Sequence, residues 1–208
     1  MTDASAPTAS AVPLDRHKRP EGLSDRIALG IVKFMRIFAD AFFSKRYGHR
    51  AVVLETVAAV PGMVGGLLEG WIRELLDEAE NERMHLMTFI HIAKPSFLER
   101  LLIMFGQAIF FNTYFFLYLF APKTAHRVVG YLEEEAVISY TGYLAQVDSG
   151  HVENVAAPKL AIDYWKLAPG ARLREVIVAV RADEAKHRDV NHGFADTLAV
   201  PRRQVAKP

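Results

Sequence analysis

The stretch Arg181-Ala182-Asp183-Glu184-Ala185-Lys186-His187 contains Glu-x-x-His, and that spacing occurs once more, at Glu82-Arg83-Met84-His85. On a helix, residues three apart share one face, so a carboxylate and an imidazole converge on one point. Two such pairs, with one Glu from each of two further helices, are the ligand set of dinuclear carboxylate four-helix bundles. The motif therefore asks for two lone carboxylates on two other apolar helices.

Both are present. Leu54-Glu55-Thr56-Val57-Ala58-Ala59-Val60 holds the one acid between Asp40 and Glu69. It belongs to a helix expected from about His49 or Arg50, with Pro61-Gly62 predicting a kink and Gly65-Gly66 close helix contact. A carboxylate buried in such a stretch must be paired, protonated or bound to metal. Glu82 and His85 fall on the next helix, from about Trp71 to Ala93. His91, six residues beyond His85, points elsewhere.

A helix from about Thr124 to Val147 carries Glu133-Glu134-Glu135. Each step turns about 100°, so the three cannot all face inward. His126, Glu133 and Tyr140 are spaced by seven, which makes Glu133 the inward acid with Tyr140 two turns away. Glu134 and Glu135 are expected at the surface or in support. The last helix, about Leu173 to Leu198, holds Glu184 and His187. Asp183 can orient a ligand histidine. Asp189-x-x-His192 has similar spacing, but His192 is turned about 140° from His187 and reads as a non-ligand. The expected ligands are thus Glu55, Glu82, His85, Glu133, Glu184 and His187.

Composition narrows the metal. The chain has no cysteine among 208 residues, which excludes disulfides, thiolate sites and iron–sulfur clusters. Oxygen and nitrogen donors suit iron or manganese. With 25 Lys+Arg against 24 Asp+Glu, nucleic acid is not expected as a partner. Between Leu14 and Arg50, however, nine Lys/Arg face four acids, an excess that suits an anionic membrane surface.

Ser24 is the expected N-cap of a helix over about Asp25 to Lys45, where Ile27, Ile31, Phe34, Phe38 and Phe42 form a stripe. Residues 101–122, LLIMFGQAIFFNTYFFLYLFAP, carry no charge and are long enough to cross a membrane. A crossing would separate the flanking helices, which must share one metal site, so an in-plane helix is expected instead. The fold class read from these patterns is all-α: a ferritin-like four-helix bundle with two additional amphipathic membrane-associated helices. Residues 1–22 are expected as a disordered arm, 23–200 as the di-iron domain and 201–208 as a frayed tail. Tyr164 and Trp165 make the stretch between the last two long helices a packed loop.

The words LETVAAVPGMVGG (54–66), NERMHLMTF (81–89), VGYLEEEAVISYTG (129–142) and RADEAKHRDVNH (181–192) closely resemble the alternative oxidase family of di-iron ubiquinol oxidases. The resemblance covers residues from about 24 to 198. It implies a cyanide-insensitive, non-proton-pumping terminal oxidase that couples ubiquinol oxidation to reduction of O2 to water at a non-haem centre of two iron ions. Under it the six residues above become the iron ligands, and Tyr140, Glu55 and Asp183 the catalytic set. Arg36, Asp40, Arg50, Leu54, Ala136, Ser139 and Tyr140 become the quinol pocket, with Ser139 where the family usually has threonine. Asn81, His126, Tyr164, Trp165 and Asp183 support the ligands.

The resemblance also implies a homodimer on the surface of an inner membrane. The short N-terminus without a recognisable presequence, and the absence of regulatory cysteines, fit a bacterial member on the cytoplasmic face. Two other classes share parts of the pattern: a membrane-bound di-iron hydroxylase of a quinone precursor or lipid, and a non-enzymatic iron-binding bundle.

Overall fold

The computed structural model describes residues 13–43, 46–68 and 72–199, and apart from one isolated β-bridge between Ala156 and Arg172 its regular elements are helices. They are α1 (Leu23–Phe43), α2 (Tyr47–Leu68), α3 (Ile72–Ala93), α4 (Phe97–Phe120), α5 (Pro122–Asp148), α6 (Lys159–Trp165) and α7 (Leu173–Thr197). Helices α2, α3, α5 and α7 form the bundle: α5 packs along α7 and α2 along α3, while α1 and α4 both rest on α2 and α5.

Two glycines permit the tightest approaches. A Cβ on Gly62 would lie 2.5 Å from the Leu75 carbonyl oxygen, and one on Gly130 would lie 2.5 Å from the His192 ring. The first seats α2 on α3 and the second seats α5 on α7. The contacts expected at Gly65-Gly66, like Trp71 at the expected start of α3, fall outside the described side chains. Helix α2 continues through Pro61 to Leu68.

The turn between α3 and α4 is set by local chemistry. Lys94 adopts a positive φ of 47° and Pro95 follows, which ends α3. Ser96 then caps α4, its Oγ accepting from the Glu99 N–H at 3.3 Å while the Glu99 carboxylate accepts from the Ser96 N–H at 2.8 Å.

Several expectations need correction. Ser24 lies inside α1 rather than capping it, and its hydroxyl meets that of Thr124 at 2.8 Å. Residues 159–165, expected as loop, form α6. Residues 13–22, expected within a disordered arm, lie along α5 and α7. Fully buried Arg188 donates to the carbonyl of Pro13 at 2.8 Å, and buried Glu134 accepts from His17 and from the Lys18 N–H. A buried guanidinium and a buried carboxylate each need partners, and this segment supplies them. For the same reason Glu134, expected at the surface or in support, is not at the surface: it is buried and also accepts from His192 at 3.0 Å. Residues 1–12 and 200–208 fall outside the described residues.

Candidate metal centre

Five of the six candidate ligands, Glu55, Glu82, His85, Glu133 and Glu184, are buried among the four bundle helices, and the sixth, His187, is nearly so. Their donor atoms form two overlapping groups, each with all atoms within 4.8 Å of one another: Glu55, Glu82, His85 and Glu184, and Glu82, Glu133, Glu184 and His187. Glu82 and Glu184 belong to both. The arrangement has two-fold character, each half having one lone Glu, one His and a share of two common carboxylates. Each shared residue comes from a Glu-x-x-His pair, which is why that spacing organises the site.

The distances tie the halves together. His85 Nδ1 lies 3.1 Å from Glu55 Oε2, 3.1 Å from Glu184 Oε1 and 3.6 Å from Glu82 Oε2. His187 Nδ1 lies 2.7 Å from Glu82 Oε1 and 4.0 Å from Glu184 Oε2. Despite these short approaches, the buried carboxylate oxygens of Glu82, Glu133 and Glu184 and His187 Nδ1 make no hydrogen bond of good geometry. Orphaned buried acceptors are costly and call for an explanation. Four carboxylates offer a charge that two divalent cations would balance, with the imidazoles neutral as ligands. The residues fit a pair of such ions.

Electrostatics describe the strain that cations relieve. Burial and the neighbouring Glu55 push the Glu82 carboxyl well above its usual range. Burial and Glu184 do the same to Glu133, and burial and Glu82 raise Glu184 to about 8. Burial lowers His187, whereas for His85 burial is outweighed by Glu82 and Glu55, which raise it. Metal binding substitutes cations for these protons.

Around the ligands, the Tyr140 phenol donates to Glu55 Oε1, and burial with the Glu55 charge raises its pKa and keeps it protonated. Asp183 Oδ2 accepts from Trp165 Nε1 at 2.8 Å and from Asn81 Nδ2 at 3.3 Å, and lies 3.6 Å from His85 Nε2. Burial opposes ionisation of Asp183, but the nearby His85 imidazole and the bonds from Lys186 and Trp165 prevail and lower its pKa. Asn81 Nδ2 also meets the Tyr164 hydroxyl at 2.9 Å. His126 sits further out: Nε2 lies 2.7 Å from the Tyr118 hydroxyl and Nδ1 3.0 Å from Asn191 Oδ1.

Sequence reasoning missed what lies beyond Asn191. Its amide donates to both oxygens of Glu78, at 3.0 and 2.9 Å, and burial raises that carboxyl to about 7. The available signal was spacing, because Glu78 stands four residues before Glu82 and so on the same face of α3.

An apolar cavity of about 700 Å³ lies between α1, α2, α4 and α5. Arg36, Arg50 and Leu54 line it; Asp40, Ala136, Ser139 and Tyr140, expected with them, are not in its wall. Ala136 and Tyr140 are buried and Ser139 is half-buried. Asp40 joins the two arginines, accepting from Arg36 Nε at 3.3 Å and from Arg50, which together overcome the effect of burial and lower its pKa. Glu135, expected near the surface, lines the cavity and pairs with Arg36. Leu54 faces this cavity while Glu55, one step of about 100° onward, faces the centre. One helix therefore separates the two spaces.

The family model described as "Alternative oxidase" matches residues 8–196. The chain is 57% identical over 201 residues to a protein named "Ubiquinol oxidase, mitochondrial" from Batrachochytrium dendrobatidis, covering 91% of this chain and 64% of that protein. It is 54% identical over 198 residues to "Ubiquinol oxidase 2, mitochondrial" from Arabidopsis thaliana and to "Alternative oxidase 3, mitochondrial" from Glycine max, in both cases across 89% of this chain. Those alignments span 56% and 61% of the two plant proteins, so the chain covers somewhat under two thirds of the length of its relatives. With paired Glu-x-x-His helices enclosing shared carboxylates and the match running through all four bundle helices, the chain belongs to the alternative oxidase family.

Proposed function

We propose that this protein is a non-haem di-iron quinol oxidase that oxidises two ubiquinols and reduces one O2 to two waters. The observation that carries the reading is the pair of ligand groups sharing Glu82 and Glu184, one helix away from an apolar cavity. Two irons held by Glu55, Glu82, His85, Glu133, Glu184 and His187 would supply the redox chemistry and the open positions for O2.

The chain's own residues then have distinct tasks. The cavity takes the apolar quinol, and the Arg36–Asp40–Arg50 cluster orients its polar head group. Glu55 stands between Tyr140 and His85, so its carboxylate can take a proton from one side and hold the ligand imidazole on the other. Tyr140 is a phenol buried beside the ligands and is the group placed to give an electron with its proton. Asp183 fixes His85 and thereby the metal-ligand geometry. Each quinol releases two electrons and two protons, which balances the formation of two waters.

The outer faces of α1 and α4 extend the proposal to a lipid surface. Phe34, Phe38 and Phe42 on α1 and Phe97, Phe105, Phe116 and Phe120 on α4 are exposed. Among the described residues α4 is the one helix long and apolar enough to cross a membrane. It supplies cavity wall together with α1, so we read both as lying in one leaflet of an inner membrane. Homodimerisation is part of the same proposal and is carried by the family alone.

The test is oxygen uptake by iron-loaded protein with ubiquinol in liposomes. Cyanide-resistant uptake yielding quinone and water is expected. Labelled oxygen appearing in an organic product would overturn the oxidase reading.

A further inference from the structure

Among the described residues two aromatic runs leave the centre, and they differ in one respect. The first begins at Tyr140, which stacks on Phe89 with ring centroids 5.5 Å apart; Phe89 meets Tyr143 at 6.4 Å, and Tyr143 stacks on Tyr47 at 5.5 Å. Phe89 interrupts it, because a phenyl ring without a hydroxyl or an indole nitrogen is far harder to oxidise than tyrosine or tryptophan. The second begins at the ligand His85. Its ring stacks on Trp165 at 5.6 Å and 22°, and Trp165 meets Tyr164 edge-on at 5.0 Å. Tyr164 is 38% exposed. Beyond the ligand every ring of this run is oxidisable, and the last one reaches water.

Polar contacts suit the same task. A tryptophan that loses an electron carries positive charge and an acidified N–H. Here that N–H donates to the Asp183 carboxylate at 2.8 Å. The Tyr164 hydroxyl accepts from Asn81 at 2.9 Å, and its exposure gives its proton a direct exit to solvent.

We propose that Trp165 and Tyr164 are a one-electron outlet joining the metal centre to the surface, through which the protein reduces hydrogen peroxide with a soluble one-electron donor such as ascorbate or a thiol. The inference rests on the di-iron reading of the centre but not on quinol as the substrate. In each pass Tyr164 loses one electron, which moves through Trp165 to the centre, and releases its phenolic proton to water. The donor then returns an electron, and solvent a proton, to the tyrosyl radical. Two passes supply the two electrons, and two protons from water complete the conversion of one hydrogen peroxide into two waters. The outlet would thus consume an oxidant left when quinol electrons run short.

The test treats iron-loaded protein with hydrogen peroxide, with and without ascorbate. It follows radicals by freeze-quench electron paramagnetic resonance and oxidised residues by mass spectrometry. In the wild type a tyrosyl signal is expected and oxidation should map to Tyr164; ascorbate should quench the signal. In Tyr164→Phe that signal should be lost and oxidation should move inward to Trp165. Tyr164→Trp, which also lacks the hydroxyl bonded to Asn81 but stays oxidisable, should restore ascorbate consumption. Oxidation confined to Tyr140 or Tyr143 with none at Tyr164, or equal ascorbate consumption by Tyr164→Phe and the wild type, overturns the proposal. Absence of quinol oxidation with these radical results intact would instead count against quinol as substrate.

Discussion

Helices α4 and α5 are consecutive and of similar length, 24 and 27 residues, yet they invert the usual relation between polarity and burial. Helix α5 buries His126, Arg127, Glu133 and Glu134; α4 exposes most of its phenylalanines and buries Tyr114 and Tyr118. Burying an ion costs several kcal/mol unless it is paired or bound to metal. Exposing a contiguous apolar face to water is unfavourable in the other direction. Under the proposed function both inversions would be completed from outside the chain: by cations beside Glu133 of α5, and by lipid against α4. The two helices therefore mark the two ends of the proposed reaction.

The largest effect should come from the bridging acids. Glu184→Ala removes a ligand from both groups and should abolish binding of both ions, whereas Glu133→Ala should spare the group containing Glu55 and His85. Metal stoichiometry by atomic emission decides; equal losses in the two variants would contradict the bridging assignment. Next in size, Tyr140→Phe should retain both ions while quinol oxidation falls by about a hundredfold. Unchanged turnover would remove this phenol from the mechanism.

Metal-free protein should also show the cost of burying the bundle carboxylates directly. Glu184 is raised from 4.5 to about 8 and Glu78 to about 7, so between those values the folded state binds more protons than the unfolded chain. Stability should then decline as pH rises from about 4.5 to about 8. Divalent metal should flatten that slope, as monitored by urea denaturation at several pH values; a metal-free protein that gains stability over that range would refute it. For the α4 side, Phe105→Asp should weaken liposome binding while leaving metal content intact, which a flotation assay measures. The smallest effect is at the start of the same helix, where Ser96→Ala should cost about 1 kcal/mol by removing a cap.

The six candidate ligands were legible because helical periodicity is local: i, i+3 spacing and seven-residue stripes place Glu82, His85, Glu133, Glu184 and His187 on inward faces without knowledge of the neighbours. Glu55 was legible as an isolated acid in an apolar run. Glu134 was not, since three adjacent acids give one inward direction toward the centre and leave the others undetermined. Its burial depends on His17 and His192, far away in sequence. Glu78 was obscured similarly, its Asn191 partner lying 113 residues away.

The sequence by itself determined the helices, the inward carboxylates and imidazoles, and the apolar character of α1 and α4, because these follow from side-chain chemistry and a fixed turn per residue. Tertiary structure decided which two carboxylates are shared. It also decided that Arg36 pairs with Glu135 at a cavity one helix from the centre, and that residues 13–22 fold back on α5 and α7. Those outcomes depend on how separate helices approach one another. That approach is set by close contacts such as Gly62 against Leu75 and Gly130 against His192, which no single segment encodes.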